Sequence, residues 1–403
     1  MVRLPPRLRP MFPYLKPAYT QATRMVSPVT VRASQLRGGY LPTGVVETME
    51  EAATSTGGRC IVVRQPETVD RATIPRGFPA HDEDFESVRS ESIPRVAIAE
   101  LPGGRVLSPH NAVITGADDL LLEVSLYFGT QRAREHPIFL HPFPEMPLEV
   151  KGRLGVLALQ GDSNYYHFMM DVLPRIGVFE QCPEVALPDM WYVPTGEDFQ
   201  RELLGLLGID LEKCINSTEV RHVHADCLVV PSPPAMTVIN PPWAVDFLRR
   251  RLLTSSMQRI EGRAIYMNRG GGPNNRQVVN ESELIDYLRV RGFQIIEKPE
   301  KMAAVEKMRA FAEASVIVCA HSAGLVNLAF ASAGATVIEL FPAGGVNTCY
   351  WKLASAVPGL EYRYLCGTGD PTPLSLSEFL VRDIVVDLDA VGAMLDELGF
   401  PAG

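Results

Sequence analysis

The sequence predicts an α/β protein of two Rossmann-like halves, each a parallel sheet covered by helices, and three observations lead there. Its strands read as continuous apolar runs, the pattern of strands buried on both faces. From Gly155 onward these runs alternate with amphipathic helical stretches. The length of 403 residues exceeds one ordinary core and suits two domains.

In chain order, residues 1–80 show no sustained periodicity and are rich in Pro, Gly, Ser and Thr, so they read as an extension with loose elements. Residues 95–128 hold short apolar runs separated by Pro-Gly-Gly and Gly-Ala-Asp-Asp turns, which predicts hairpins. Strands follow at 156–159, 191–193 and 227–230, with helices at 164–181, 197–207 and 242–259. A second series places strands at 264–267, 293–296, 316–318 and 336–340, with helices at 280–291, 303–314 and 322–331. An amphipathic helix at 387–398 closes the chain. The implied division is an N-terminal extension (1–80), a first half (81–240), a second half (241–370) and a C-terminal segment (371–403) whose helix packs back.

The formal charge is -9, which argues against nucleic acid as a partner. Residues 1–46 carry seven basic side chains and no acidic one, leaving 31 basic against 47 acidic residues in the rest. That segment lacks the continuous apolar stretch of a secretory signal. It reads as a floppy extension, or as an arm able to make peripheral contact with an anionic membrane. Seven dispersed cysteines without C-x-x-C look like buried small hydrophobes of a reducing compartment, which predicts a cytoplasmic protein.

The chemistry concentrates in two segments. In the second half, the strand at 316–318 runs into Ala320-His321-Ser322-Ala323-Gly324 and a helix. Small residues and unpaired amides at a helix start suit an anion such as a diphosphate. Strand C-terminal ends are also where such sheets bind ligands. Arg269 and Arg276 flank a glycine-rich loop and carry guanidinium forks that match phosphate oxygens; a solvated surface loop is the bland alternative. Asn280 and Glu283 have capping-box spacing.

In the first half, His167 and Asp171 are four residues apart and share a helical face. Asp171 can orient the imidazole so that His167 takes a proton from a hydroxyl. Arg175 continues that face, and Asp162 is a further carboxylate nearby. A solvent-bridging pair is the competing reading.

Three other patterns weigh less. The segment 320–324 imitates a nucleophile elbow with Ser322, but no histidine follows His321 in the chain, so the usual triad order cannot be completed. Cys214, His222, His224 and Cys227 have zinc-ligand residue types without standard spacing. Asp82-Glu83-Asp84 contains Asp-x-Asp but lies in a polar run.

Asn164-Tyr165-Tyr166-His167-Phe168-Met169-Met170-Asp171-Val172-Leu173-Pro174-Arg175 and Ala314 to Asn327, followed by Val337-Ile338-Glu339-Leu340-Phe341-Pro342, resemble the two signatures of glycosyltransferase family 61. That group spans the EGF-domain O-GlcNAc transferase, plant xylosyltransferases and bacterial proteins of capsular polysaccharide synthesis. The resemblance covers about 95–398. It implies a GT-B fold with a cleft between the halves, a UDP-sugar donor, inversion at the anomeric carbon, a glycan or other hydroxyl acceptor, and no cofactor or metal. By the same resemblance Arg269, Arg276, His321, Ser322, Ala323, Gly324, Asn327 and Glu339 lie on the donor side. His167, Asp171 and Asp162, in that order, are candidates for the base. The family usually reads His-Gly-Ala-Gly where this chain has Ser322, and Trp where it has Phe168. A catalytically silent nucleotide- or glycan-binding protein is the alternative, and a Ser322 hydrolase the remote one.

Overall fold

The computed structural model describes residues 12–108, 110–125, 135–235, 238–270 and 276–401. Its strands, in chain order, are β1 (Gly44–Val46), β2 (Arg59–Arg64), β3 (Glu67–Asp70), β4 (Arg76–Phe78), β5 (Ser90–Ile93), β6 (Val96–Pro102), β7 (Arg105–Leu107), β8 (Ala112–Ile114) and β9 (Asp119–Leu121). They continue with β10 (Leu148–Val156), β11 (Met190–Val193), β12 (Cys214–Asn216), β13 (His222–Pro231), β14 (Ala264–Met267), β15 (Gln294–Ile296), β16 (Val316–Ala320), β17 (Thr336–Phe341) and β18 (Glu361–Cys366). The chain forms two compact units. One holds Met1–Pro66 and Pro94–Ala235; the other holds Glu67–Ile93 and Met236–Gly403.

The second unit has the predicted architecture. Its main sheet runs β15-β14-β16-β17-β18-β4 among the described residues, with every pairing parallel. Ala264, Tyr266, Val316, Val318, Ala320, Ile338 and Leu340 line one face and form a core with Leu284, Leu288, Val391 and Leu395. The helices Glu281–Val290 and Leu388–Glu397 therefore cover that face. Side chains alternate along a strand, so Met267, Cys319 and Glu339, in register across β14, β16 and β17, belong to the opposite face. All three are fully buried, so this sheet is covered on both sides.

The first unit departs from the parallel sheet that the apolar runs suggest. Its sheet is mixed: β10 pairs in parallel with β11 and β13, while β6, β7 and β8 join through antiparallel pairings. The core comes from alternate residues of these strands, including Leu154, Val156, Leu228 and Val230. Residues 44–64 are not loose. β1 pairs with β9, β2 pairs with β6, and the helix Met49–Thr56 packs Met49, Ala52 and Ala53 into the same core. Thr48 caps that helix in a true capping box with Glu51.

Three local expectations change. The strand expected at 156–159 ends at Val156, because the amides of Leu157 and Ala158 both turn to the Tyr192 carbonyl. The helix expected over 242–259 stops at Leu252. The segment expected as a helix at 322–331 is a 3₁₀ helix, Ala323–Phe330, a tighter form with poorer hydrogen-bond geometry. Among the described residues no helix is long and apolar enough to cross a membrane.

Candidate functional site

In the first unit, the predicted helix over 164–181 is a helical run in three pieces: Tyr165–His167, a π-helical turn Phe168–Val172, and Pro174–Glu180. Pro174 has no N–H to donate to the preceding turn. The turn widens there, and the Leu173 amide reaches back five residues to Phe168 O at 3.0 Å. Asn164 caps the start by accepting from the Tyr166 amide at 2.8 Å. His167 and Asp171 meet as expected, with Nδ1 2.7 Å from Oδ2. The imidazole is thereby oriented by a carboxylate.

Arg175 does not continue that face. It is fully buried and donates to the carbonyls of Pro231, Leu157 and Ala158, tying the end of β13 to the segment after β10. Burial pushes it down to about 9, against the charges of Asp162 and Asp171. Asp162 is 7% exposed. Its Oδ2 accepts from the Leu159 amide at 3.2 Å and from Asn111 Nδ2 at 3.1 Å. Burial raises this carboxyl to about 7, outweighing the lowering by the Leu159 amide, Arg175, His167 and Asn111. A carboxyl titrating near neutrality is suited to proton transfer. Asn111 sits between β7 and β8, and nothing near it in sequence points to Asp162.

In the second unit, the turn after β16 gathers nearly all the other candidates. The His321 amide bonds Leu340 O at 3.0 Å. Ser322, Ala323 and Gly324 are half-buried, and among the described residues their amides donate to no protein acceptor. This is the open donor edge expected of an anion site. The glycine has another reason to be small: a Cβ on Gly324 would lie 2.5 Å from the Met267 methyl. Asn327 is fully buried and donates to Gly324 O at 2.8 Å, so it holds the turn from behind.

His321 Nδ1 lies 2.5 Å from Glu339 Oε1, and the Tyr362 hydroxyl donates to the other oxygen of that carboxyl. The imidazole is boxed by Phe341, Tyr350 and Phe379, with ring centroids 5.2 to 5.5 Å away. Burial, then the charges of Arg276 and Arg269, lower its pKa well below the ordinary range. Burial raises the Glu339 carboxyl, while Tyr362 and Arg276 lower it.

Both arginines come to this turn, but Arg276 is not an open fork. It is buried and donates to His321 O at 2.6 Å and to Phe379 O at 2.9 Å, with its guanidinium over the Phe379 ring. Burial, then the neighbouring Arg269, push it down to about 10. Arg269 donates to the Arg276 carbonyl, and burial lowers its pKa as well. The glycine-rich stretch 271–275 between them lies outside the described residues. The turn thus carries two guanidinium charges beside free amides, a favourable setting for a polyanion.

The weaker patterns dissolve. The Ser322 hydroxyl lies 3.9 Å from the Cys319 thiol, and among the described residues no hydrogen bond joins it to a histidine. His222 and His224 bond Glu145 O and Glu149 instead, and no group of three metal-ligand side chains exists among the described residues. Asp82-Glu83-Asp84 opens a short exposed helix, Asp82–Glu86. Asn280 does not form the expected capping box. Its amide pairs with both backbone groups of Val386. Sequence reasoning missed Asn111, Tyr350, Tyr362 and Phe379. Tyr362 lies on β18, a strand the sequence reading did not place.

The second unit thus pairs a parallel sheet with a turn of unbonded amides and two arginines, a setting suited to an anion. Comparison with known proteins adds the following. Residues 165–338 match the family model Glycosyltransferase 61. Protein O-linked-mannose beta-1,4-N-acetylglucosaminyltransferase 2 of Canis lupus familiaris is similar, 35% identical over 97 residues. The protein of the same description from Xenopus laevis is 36% identical over 96 residues. These matches span 23% of this chain and 16% of the relatives' length.

Proposed function

We propose that the chain transfers a sugar from a UDP-sugar to a hydroxyl of a glycan or other acceptor, with inversion, without a metal, and with the two units arranged as in GT-B enzymes. The observation that carries this reading is the meeting of Arg269, Arg276 and the unbonded amides of 322–324 inside a stretch that matches family 61. An acceptor oxygen, deprotonated by His167 or Asp162, attacks the anomeric carbon. The bond to the diphosphate breaks on the far side, and negative charge grows on the leaving group. The amides and the two guanidinium groups stabilise that charge. Asp171 orients His167 for that proton transfer. The similar proteins are N-acetylglucosaminyltransferases by name, so within the UDP-sugar reading UDP-N-acetylglucosamine is the first donor to try.

The test is a thermal-shift and donor-hydrolysis screen over nucleotide sugars. UDP raises the melting temperature, Arg269→Ala abolishes that shift, and a chelator leaves turnover within about twofold. Silence toward every nucleotide and nucleotide sugar overturns the reading.

A further inference from the structure

We propose that Asn111 is a positioning residue of the base-side site: it ties down one oxygen of Asp162 and leaves the other free to accept a proton beside His167. The inference rests on the transferase reading and extends it to a residue of a different strand pair.

The geometry is specific. Asn111 lies between β7 and β8 with φ 49 and is 5% exposed. Asparagine is among the few side-chain-bearing residues that visit this left-handed region readily. From there its Nδ2 donates both to Leu159 O at 2.9 Å and to Asp162 Oδ2 at 3.1 Å. The Leu159 amide closes the ring by donating to the same Oδ2. Among the described residues no hydrogen bond reaches Asp162 Oδ1. Asn111 Oδ1 is itself buried without a partner. An asparagine kept only to close a turn would satisfy both ends of its amide; this one leaves its acceptor unmet while its donor holds a carboxylate.

The charged and titratable groups that act on Asp162 come from three elements. Arg175 from the helix Pro174–Glu180 and His167 from Tyr165–His167 stabilise the ionised form. The Tyr192 phenol of β11 is raised by burial and then by Asp162. None of these bonds the Oδ2 atom that Asn111 holds. A donor to the ionised form lowers a carboxyl pKa, so removing the Asn111 amide moves Asp162 upward.

The variant is Asn111→Gly, which keeps the left-handed backbone without strain. The readouts are the pH dependence of kcat/KM with UDP-N-acetylglucosamine and the ¹³C titration of the Asp162 carboxyl, assigned with Asp162→Asn. The acid limb should move up by about one pH unit. The rate on the acid side then falls about tenfold, while the rate on the alkaline side and the donor KM stay within about twofold. An unmoved limb with an unmoved carboxyl titration overturns the inference. If the wild-type chain consumes no donor at any pH, the transferase reading fails, and the carboxyl titration still decides the role of Asn111.

Discussion

Asp162→Asn should make the protein more stable as the pH rises, and the size of the effect follows from the carboxyl's surroundings. In the native chain Asp162 titrates at about 7, against an ordinary value of 3.8, chiefly because it is buried. The folded pKa is raised, so its contribution to stability is whole below the unfolded value and is lost as the pH rises through the folded one. Below about pH 4 both states hold the proton. Between about 4 and 7 the unfolded chain releases it while the native chain keeps it, and stability falls by about 1.4 kcal/mol per pH unit. Above about 7 the native carboxyl is ionised in its buried place, and the loss levels at about 4 kcal/mol. Asparagine has nearly the same shape, keeps an oxygen for the Leu159 amide and Asn111, and has no charge to bury. Urea unfolding of both proteins at about pH 5.5 and about pH 8 should therefore shift the balance by about 2 kcal/mol in favour of the variant at the higher pH, with turnover reduced at both. A variant that loses equal stability at the two pH values would refute the reasoning. It would mean that Asp162 is ionised throughout and held by its donors rather than strained by burial.

Two further outcomes follow from the buried networks. Arg175→Met leaves the carbonyls of Pro231, Leu157 and Ala158 without their donor and should cost about 3–5 kcal/mol in urea unfolding; a loss below about 1 kcal/mol would show that the guanidinium is not the tie between β13 and the segment after β10. Tyr362→Phe removes one of the two contacts that hold Glu339 and should cost about 1–3 kcal/mol while weakening UDP binding, read by calorimetry. Unchanged UDP affinity would separate the Tyr362–Glu339–His321 chain from the donor site.

The second unit was largely legible because its strands are apolar on both faces and its helices are bounded by short turns. The predicted helices 280–291 and 303–314 match Glu281–Val290 and Ala304–Glu313, and the strand at 264–267 matches in full. β1 and β2 escaped because they are short and half-exposed, and their partners, β9 and β6, are remote in sequence. The pairing of His167 with Asp171 could be read from helical spacing. The burial of Arg175 could not, because the carbonyls that draw it inward belong to other strands. Asn280 carried the sequence mark of a helix cap, yet its amide found a better partner in the backbone of Val386, 106 residues on. The Arg276 contacts were hidden for the same reason: its acceptors, His321 O and Phe379 O, lie 45 and 103 residues away.

β4 has a practical consequence for anyone dividing the chain. It comes from the interlude Glu67–Ile93, yet it forms the outer margin of the second unit's sheet, laying Arg76–Phe78 along Arg363–Leu365. A fragment begun after Ala235 would leave β18 with a naked rim, ready to recruit a stray strand from another molecule. Limited proteolysis of such a piece should find it sticky and short-lived, whereas adding back residues 67–93 as a separate peptide should quiet it.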